Sequence, residues 1–332
     1  MMELTIIWAF FIAFGIAAYV VMDGFDLGIG ILFPFFRVGK ERDQAMNAIA
    51  PVWDGNETWL VLGGGGLLAA FPLAYAIILP ALYAPLIAML LGLVFRGVAF
   101  EFRWRDPAHR ARWDAGFFIG SLVAALMQGI TLGALLQGIE VDGRAYAGGW
   151  WDWLSPFSLL TGVSVVAAYS LLGATWLVWK TEGRLHEDAR RLARIATPAM
   201  LGAIGAVSLA TPFLEEQYFH RWFEWPGLLV AVPMPIVVTG IAVLLWTKLK
   251  RCADWLPFVL ALAMFALTLV GLGISIWPYV IPGRVTIWDA AAPETSQAFM
   301  LVGALVLVPI ILAYTAWSYW VFRGKVGEEG YH

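Results

Sequence analysis

The sequence predicts an all-α protein that crosses a membrane nine times, and three observations predict it. The first is composition: 61% of the 332 residues are hydrophobic, only 14% are charged and the mean hydropathy is +0.77, well outside the range of soluble domains. The second is a series of long apolar segments. The third is the alternation of Lys and Arg between successive connections. Together they predict a single integral-membrane domain, residues 1–332, with no soluble domain.

The apolar segments follow one another along the whole chain. A span needs about 20 apolar residues, and the nine segments that qualify are 4–36, 56–76, 79–99, 115–137, 156–179, 194–214, 226–247, 255–280 and 297–322. The first would reach about 50 Å as one helix, so it must tilt, break or project beyond the hydrocarbon. Each connection is short, and even the long one at 37–55 has fewer than 20 residues.

The basic residues predict the orientation. Of the 21 Lys and Arg, 18 follow the first, third, fifth, seventh and ninth segments, and 3 lie in the other connections. Cytoplasmic loops carry the excess of positive charge, so the N-terminus is predicted outside and the C-terminus in the cytoplasm. A missed or added span would have scrambled this alternation.

Two carboxylates interrupt the first apolar segment. Asp23 and Asp26 lie in VVMDGFDLGIGILFPFF, after 19 residues without a charge. Three residues apart, they share one helical face. Ionisable side chains within a span usually face the protein interior, pair with one another or line a water-filled path. Asp23 and Asp26 are therefore predicted to form a buried pair or to have a functional role.

More charged residues lie at the same predicted depth. Asp54 and Glu57 open the second segment in PVWDGNETWL, and Arg96 and Glu101 end the third in LVFRGVAFEFR. The predicted orientation puts all of them toward the cytoplasm. Neighbouring carboxylates repel, so one can exchange a proton near neutral pH, as a proton relay requires. Asp54 and Glu57 also fit a helix N-cap with its capping box, and Arg96 fits an interfacial basic residue.

Cofactor ligands are scarce in the sequence. The histidines, His109, His186, His220 and His332, all fall in predicted loops or the tail, and Cys252 is the only cysteine. Haem inside a membrane bundle generally needs an axial histidine, so this chain is predicted to bind neither haem nor another metal. The sequence contains no nucleotide-binding or zinc-protease motif, and its net charge of −3 predicts no nucleic-acid partner.

Four stretches together resemble subunit II of the cytochrome bd-type quinol oxidases, a family with a cyanide-insensitive branch. They are DGFDLGIGILFPF at 23–35, PVWDGNETWL at 51–60, FRGVAFEFR at 95–103, and IWDA with LVPIILAYTAWSYW at 287–290 and 307–320. The resemblance runs from the first predicted span to the last. It implies two four-helix bundles plus one additional helix, in a multi-pass protein of the bacterial cytoplasmic membrane.

The resemblance also implies a division of labour. A partner, subunit I, would hold the b- and d-type haems and the quinol site, oxidise ubiquinol or menaquinol, and reduce dioxygen to water with protons from the cytoplasm. This chain would hold no catalytic residue, would stabilise the partner and would supply a hydrophilic proton route, whose family acids match Asp26 and Asp54. Small single-span subunits also occur in the family. The resemblance leaves open whether a structural quinone binds to this chain. It also implies that lipids surround the chain.

The predicted site is an acidic entry from the cytoplasm. Its mouth consists of Glu101, Arg96, Asp54 and Glu57, and Asp26 and Asp23 pass protons laterally toward the partner. Asp23 could equally be a fixed hydrogen-bond acceptor. Two alternatives of other classes stay open at this stage: a proton-coupled secondary transporter, and a purely structural subunit whose acids are caps and interface partners.

Overall fold

The computed structural model describes residues 2–250 and 254–326, which are mostly helical. In chain order the helices and strands are α1 (Met2–Leu32), α2 (Lys40–Asn47), α3 (Trp53–Ala70), α4 (Pro72–Ala81), α5 (Tyr83–Arg105), α6 (Arg110–Leu136), β1 (Val141–Asp142), β2 (Ala145–Tyr146), α7 (Pro156–Lys180), α8 (Gly183–Ala210), α9 (Glu216–Phe223), α10 (Leu228–Ala231), α11 (Pro233–Lys250), α12 (Leu256–Ile276), β3 (Tyr279–Ile281), β4 (Val285–Thr286), α13 (Ile287–Ala290) and α14 (Glu294–Val321).

Eight helical segments within the described residues are long and apolar enough to cross a membrane. They are Glu3–Phe35, Tyr83–Arg105, Pro107–Leu136, Pro156–Lys180, Gly183–Phe213, Pro233–Lys250, Leu256–Ile276 and Glu294–Val321. Each overlaps one of the predicted spans. The prediction of an all-α polytopic membrane protein is confirmed.

The predicted segment 56–76 has a different form. Helix α3 ends at Ala70, Phe71 leaves the helical region (φ −131°, ψ 61°), and α4 begins at Pro72. Proline has no backbone N–H to donate to the preceding turn, so it begins a new helix here. A second break at Leu82 separates α4 from α5, so the third helix begins at residue 83 and not at 79. The apolar run hid both breaks because Phe71 and Leu82 are themselves apolar.

Helix α1 runs unbroken for 31 residues. Of the three ways in which the long first segment could fit the membrane, tilting, breaking or projecting beyond it, this excludes a break. It packs against α3, α6 and α7. A Cβ added at Gly28 would lie 1.9 Å from the Tyr169 carbonyl oxygen, and one at Gly173 would lie 2.5 Å from the Gly28 carbonyl carbon. The backbones of α1 and α7 therefore touch, as small residues at a membrane helix interface allow. This contact encloses the part of α1 that carries the acids.

The remaining helices pack around this centre. Helices α7, α8, α11 and α12 form a closed group in which each packs against two others, and α14 lies against α1 and α3. Two antiparallel hairpins, β1–β2 and β3–β4, lie in the connections after α6 and α12. The sequence analysis missed both hairpins because strands of two or three residues leave no periodic pattern.

Candidate functional site

Asp23 and Asp26 are both 0% exposed, although they lie on a helix that is otherwise apolar over most of its length. The guanidinium of Arg96, on α5, donates through Nη1 to Asp23 Oδ1 at 2.6 Å, and Arg96 is itself only 2% exposed. A buried charge is tolerated when it is paired and hydrogen-bonded. Arg96 thus compensates one of the two carboxylates directly.

Asp26 has a neutral partner. Asn56, on α3, donates through Nδ2 to Asp26 Oδ2 at 2.8 Å and to the Met22 carbonyl at 3.3 Å. The Tyr319 hydroxyl, on α14, donates to Asn56 Oδ1 at 2.9 Å. Asp26 therefore lies beside a charged pair and is itself bonded to an amide. Of the two acids, it is the one without an ion-pair partner among the described residues.

Glu57 connects this cluster to the surface. Arg96 donates through Nη2 to Glu57 Oε1, so one guanidinium bridges carboxylates from α1 and α3. Glu57 is 30% exposed, whereas the two aspartates are enclosed. The Arg96 guanidinium also lies 5.9 Å from the centre of the Trp53 ring. Glu57 is accordingly the member of the cluster that solvent can reach.

Three buried polar atoms in this cluster have no hydrogen-bond partner among the described residues. They are Asp23 Oδ2, Asp26 Oδ1 and Arg96 Nε. Buried polar atoms are ordinarily paired with protein or ordered water. The two aspartates, about one helical turn apart, thus each keep one oxygen with hydrogen-bonding capacity.

The structure unites four of the six residues predicted for the site. Asp23, Asp26, Glu57 and Arg96 form what we call the acidic cluster, together with Asn56. Asp54 also lies on α3, but on the exposed side of that helix. Glu101 is 54% exposed, and its nearest charged neighbour is Arg105 at 4.0 Å. These two acids lie on the chain's surface and not within the acidic cluster.

Asn56 was missed in the sequence analysis, although the sequence contained a signal. The buried residues of α3 include Asn56, Trp59, Gly63 and Ala70, which recur at helical spacing. That periodicity puts Asn56 on the packed face and Asp54 off it. An amide on the buried face of a membrane helix requires a polar partner, and Asp26 is that partner.

A second buried ion network lies at the end of α5. Arg103 is 0% exposed and donates to Asp43 at 2.7 Å and to Asp114 at 2.5 Å, while Arg42 donates to Asp114 at 2.7 Å. The Arg42 and Arg103 guanidiniums lie 5.3 and 5.6 Å from the centre of the Phe33 ring. This arginine network ties α2 to the α5–α6 hairpin. The sequence analysis counted its arginines only as cytoplasmic charge.

The described histidines do not fit haem ligation inside the membrane. His109 bonds Asp106, His186 lies 3.0 Å from the Val178 carbonyl, and His220 lies between Glu216 and Glu224. Within residues 2–250 and 254–326, no group of three or more His, Cys, Asp or Glu is arranged to hold a metal ion. His332 and Cys252 lie outside the described residues.

The fold and the buried acid–arginine cluster define the class: a many-span helical membrane protein with ionisable side chains inside its helix bundle. Residues 4–322 match the family model of cytochrome bd terminal oxidase subunit II. The chain is 35% identical over 365 aligned positions to cytochrome bd-I ubiquinol oxidase subunit 2 of Escherichia coli K12, covering 98% of this chain and 96% of that protein. It is 29% identical to cytochrome bd ubiquinol oxidase subunit 2 of Bacillus subtilis 168, covering 99% and 98%.

The fold is also found in a solved structure. A chain of the bd oxidase from Geobacillus thermodenitrificans superposes with a TM-score of 0.78 at 18% identity, covering 97% of this chain and all of that one. This protein belongs to the cytochrome bd terminal oxidase subunit II family. It is a subunit of a terminal oxidase, an oxidoreductase of the respiratory chain, and the family implies a partner subunit I and haems in the complex.

Proposed function

We propose that the chain is the haem-free subunit II of a quinol:dioxygen oxidoreductase and that its acidic cluster takes up protons from the cytoplasm for the partner subunit. The relatives are named ubiquinol oxidase subunits, which supports a quinol as the electron donor. On this proposal subunit I holds b- and d-type haems and the quinol site. Reduction of dioxygen to water consumes one proton for every electron, so the complex needs a proton supply.

The proposed arrangement in the bacterial cytoplasmic membrane has nine spans in one domain, residues 1–332. Helices α3 and α4 together form the second span, because their combined apolar length exceeds the roughly 20 residues that a bilayer requires. The N-terminus is outside, as the 18-to-3 distribution of Lys and Arg supports. One four-helix bundle consists of α1, α3–α4, α5 and α6, the other of α7, α8, α11 and α12, and α14 is the additional helix.

One observation carries the proposed proton route: Asp26 is fully buried, bonded to the neutral Asn56, and adjacent to the Asp23–Arg96 pair. A buried carboxyl is tolerated when it is paired with a cation or neutralised by a proton, and Asp26 has no ion-pair partner among the described residues, so the proposal assigns proton exchange to Asp26. Glu57, the exposed member, receives protons from the cytoplasmic side. Asp54 and Glu101, on the surface, gather protons at the mouth, and Asp26 passes them toward the partner.

The central experiment compares two variants of the purified two-subunit complex. Asp26→Asn is expected to depress oxygen consumption at least tenfold while haem content and subunit ratio stay at the wild-type level. Asp142→Asn is the matched control, because it makes the same change at an exposed position in the β1–β2 hairpin. Normal turnover in Asp26→Asn would refute the route.

A purely structural role for the acids is the second candidate, and the ion pairs of Arg96 favour it. Arg96 holds α1 to α3 and α5 through Asp23 and Glu57, which would stabilise the subunit without any proton transfer. Neutralising Asp23, Arg96 and Glu57 together separates the two candidates. A structural role predicts normal turnover per haem in the triple variant that assembles, whereas the proton route predicts slowed turnover, because Glu57 is its entry.

A further inference from the structure

A chain of hydrogen bonds extends from the acidic cluster away from Glu57. Tyr19 lies one helical turn before Asp23 on α1. Gln128, on α6, donates through Nε2 to the Tyr19 hydroxyl oxygen at 2.8 Å, and the Tyr169 hydroxyl, on α7, donates to Gln128 Oε1 at 2.6 Å. We call these three residues the Tyr–Gln–Tyr triad. The triad joins α1, α6 and α7 beside the acids.

Packing fixes the outer member of the triad. Tyr169 is 1% exposed, and its ring stacks on Phe265 with centroids 5.9 Å apart and an interplanar angle of 17°. A Cβ added at Gly24 would lie 2.8 Å from Tyr169 Cε1, so the ring rests on the α1 backbone next to Asp23. The Tyr169 ring is held between two helices, and its hydroxyl has a defined direction.

The two hydrogen bonds of the triad run from Tyr169 through Gln128 to Tyr19, which lies one helical turn before Asp23. The Gln128 amide accepts from Tyr169 and donates to Tyr19, and Tyr19 therefore has its own O–H left to donate. Tyr19 interacts electrostatically with Asp23 and Arg96. An amide has no proton that it exchanges readily near neutral pH. The triad can thus orient donors toward a carboxylate, but it is a poor conductor of protons.

We propose that Gln128 is a positioning residue of the acidic cluster: through Tyr19 it holds the Asp23 side chain against Arg96, and so leaves Asp26 as the carboxyl that exchanges protons. This inference rests on the proposed function. Arg96, from α5, is paired with Asp23. The other ionisable groups that interact electrostatically with Asp23 are Glu57 from α3, Asp26 and Tyr19 from α1, Tyr169 from α7 and Tyr319 from α14. Gln128 acts on this set only through Tyr19 and Tyr169.

The test is the pH profile of oxygen consumption by the intact complex carrying Gln128→Leu. Without the amide, Tyr19 loses the partner that orients it and Asp23 is no longer held against Arg96, so the alkaline limb of the profile is expected to move to higher pH by about half to one unit. Gln297→Leu is the matched control. Gln297 is also a buried amide, 0% exposed, but it bonds Thr5 and the Ala292 carbonyl, near the N-terminal end of α1 and about five helical turns from Asp23.

Four results separate the possibilities. A shifted profile in Gln128→Leu alone supports the positioning role. Equal shifts in Gln128→Leu and Gln297→Leu overturn it, because any lost amide would then act alike. An unshifted Gln128→Leu with an impaired Asp26→Asn overturns the positioning role and leaves the proposed function standing. Normal turnover in Asp26→Asn removes the proposed function and this inference with it.

A milder variant covers the case in which Gln128→Leu does not assemble. Tyr169→Phe keeps the ring between Gly24 and Phe265 and removes only the hydroxyl that orients Gln128. The same shift of the pH profile is expected, reduced in size. The redox-difference infrared spectrum should also show a displaced band of the protonated carboxyl in Tyr169→Phe. An unchanged band together with an unchanged profile would overturn the inference.

Discussion

Asn56 and Asp26 are joined by a 2.8 Å hydrogen bond between α3 and α1, in which the amide donates and the carboxylate accepts. The same amide accepts a hydrogen bond from Tyr319 on α14. A single side chain therefore connects three helices at the acid proposed to carry protons. The environment of Asp26 is set by residues that lie far from it in the sequence.

Replacing Asn56 should destabilise the subunit and slow turnover. Asn56→Leu leaves Asp26 Oδ2 and the Tyr319 hydroxyl without their present partner, at a cost of about 1–3 kcal/mol in the free energy of unfolding. Thermal denaturation of the purified complex measures the loss, and oxygen consumption measures turnover. Thr58→Leu, on the exposed side of the same helix, should stay within about 0.5 kcal/mol. Equal stability of Asn56→Leu and wild type would contradict the assigned bond.

Removing the charge of Arg96 should prevent assembly, and a second substitution should restore it. Arg96→Gln leaves the buried Asp23 carboxylate uncompensated, which costs about 3–5 kcal/mol. Adding Asp23→Asn removes that charge, so the double variant should recover haem-bearing complex in membranes. The yield of complex, measured from the haem spectrum, decides the outcome. If the double variant assembles no better than Arg96→Gln, the two residues do not act as a pair.

The arginine network should matter for stability and not for proton uptake. Arg103→Met removes a buried guanidinium from Asp43 and Asp114, and the expected loss is again about 3–5 kcal/mol. Its pH profile of oxygen consumption should match that of the wild type. Arg105→Met is the control, because Arg105 is largely exposed and comes no closer than 4.0 Å to Glu101. A shifted pH profile in Arg103→Met would assign this network to the proton route.

The connection between α8 and α11 contains a testable histidine. Hydrogen bonds first to Glu224 and then to Glu216 raise the pKa of His220 above its usual value of 6.5. The stabilisation of α9 by this contact is therefore fully present below about pH 6.5, and it disappears as the pH rises through the raised pKa. Titration of isotope-labelled histidine by NMR should show the His220 pKa falling toward 6.5 in Glu224→Gln. An identical titration in both proteins would show that Glu224 does not bind His220 in solution.

The sequence alone predicted much of this fold because hydropathy and charge act over long stretches. Asp23, Asp26 and Arg96 could be singled out since a charge inside an apolar run must face protein or water. Their partners could not be singled out so easily. Arg103 follows an apolar segment in a run of loop arginines, where solvent exposure is the ordinary case, and only packing against Phe33 and Asp114 buries it.

The position of Asp54 is a second feature that the sequence alone could not predict. Asp54 and Asn56 are two residues apart, and this difference turns one side chain outward and the other into the bundle. The choice depends on which face of α3 meets α1, and Gly63 and Gly66 determine it by packing against Ile16 and Ile12. Gly64 and Gly65 have open space instead. From the sequence, which has four consecutive glycines here, it could not be predicted which two would lie at the interface.

The most direct test of the proposed route follows proton uptake itself. The fully reduced complex is mixed with dioxygen in the presence of a pH indicator, and the uptake of protons during a single turnover is timed in wild type, Asp26→Asn and Asp142→Asn. If Asp26 carries the protons, uptake slows at least tenfold in Asp26→Asn and stays at the wild-type rate in Asp142→Asn. Uptake at the wild-type rate in Asp26→Asn would contradict the assignment of this carboxyl to the proton route.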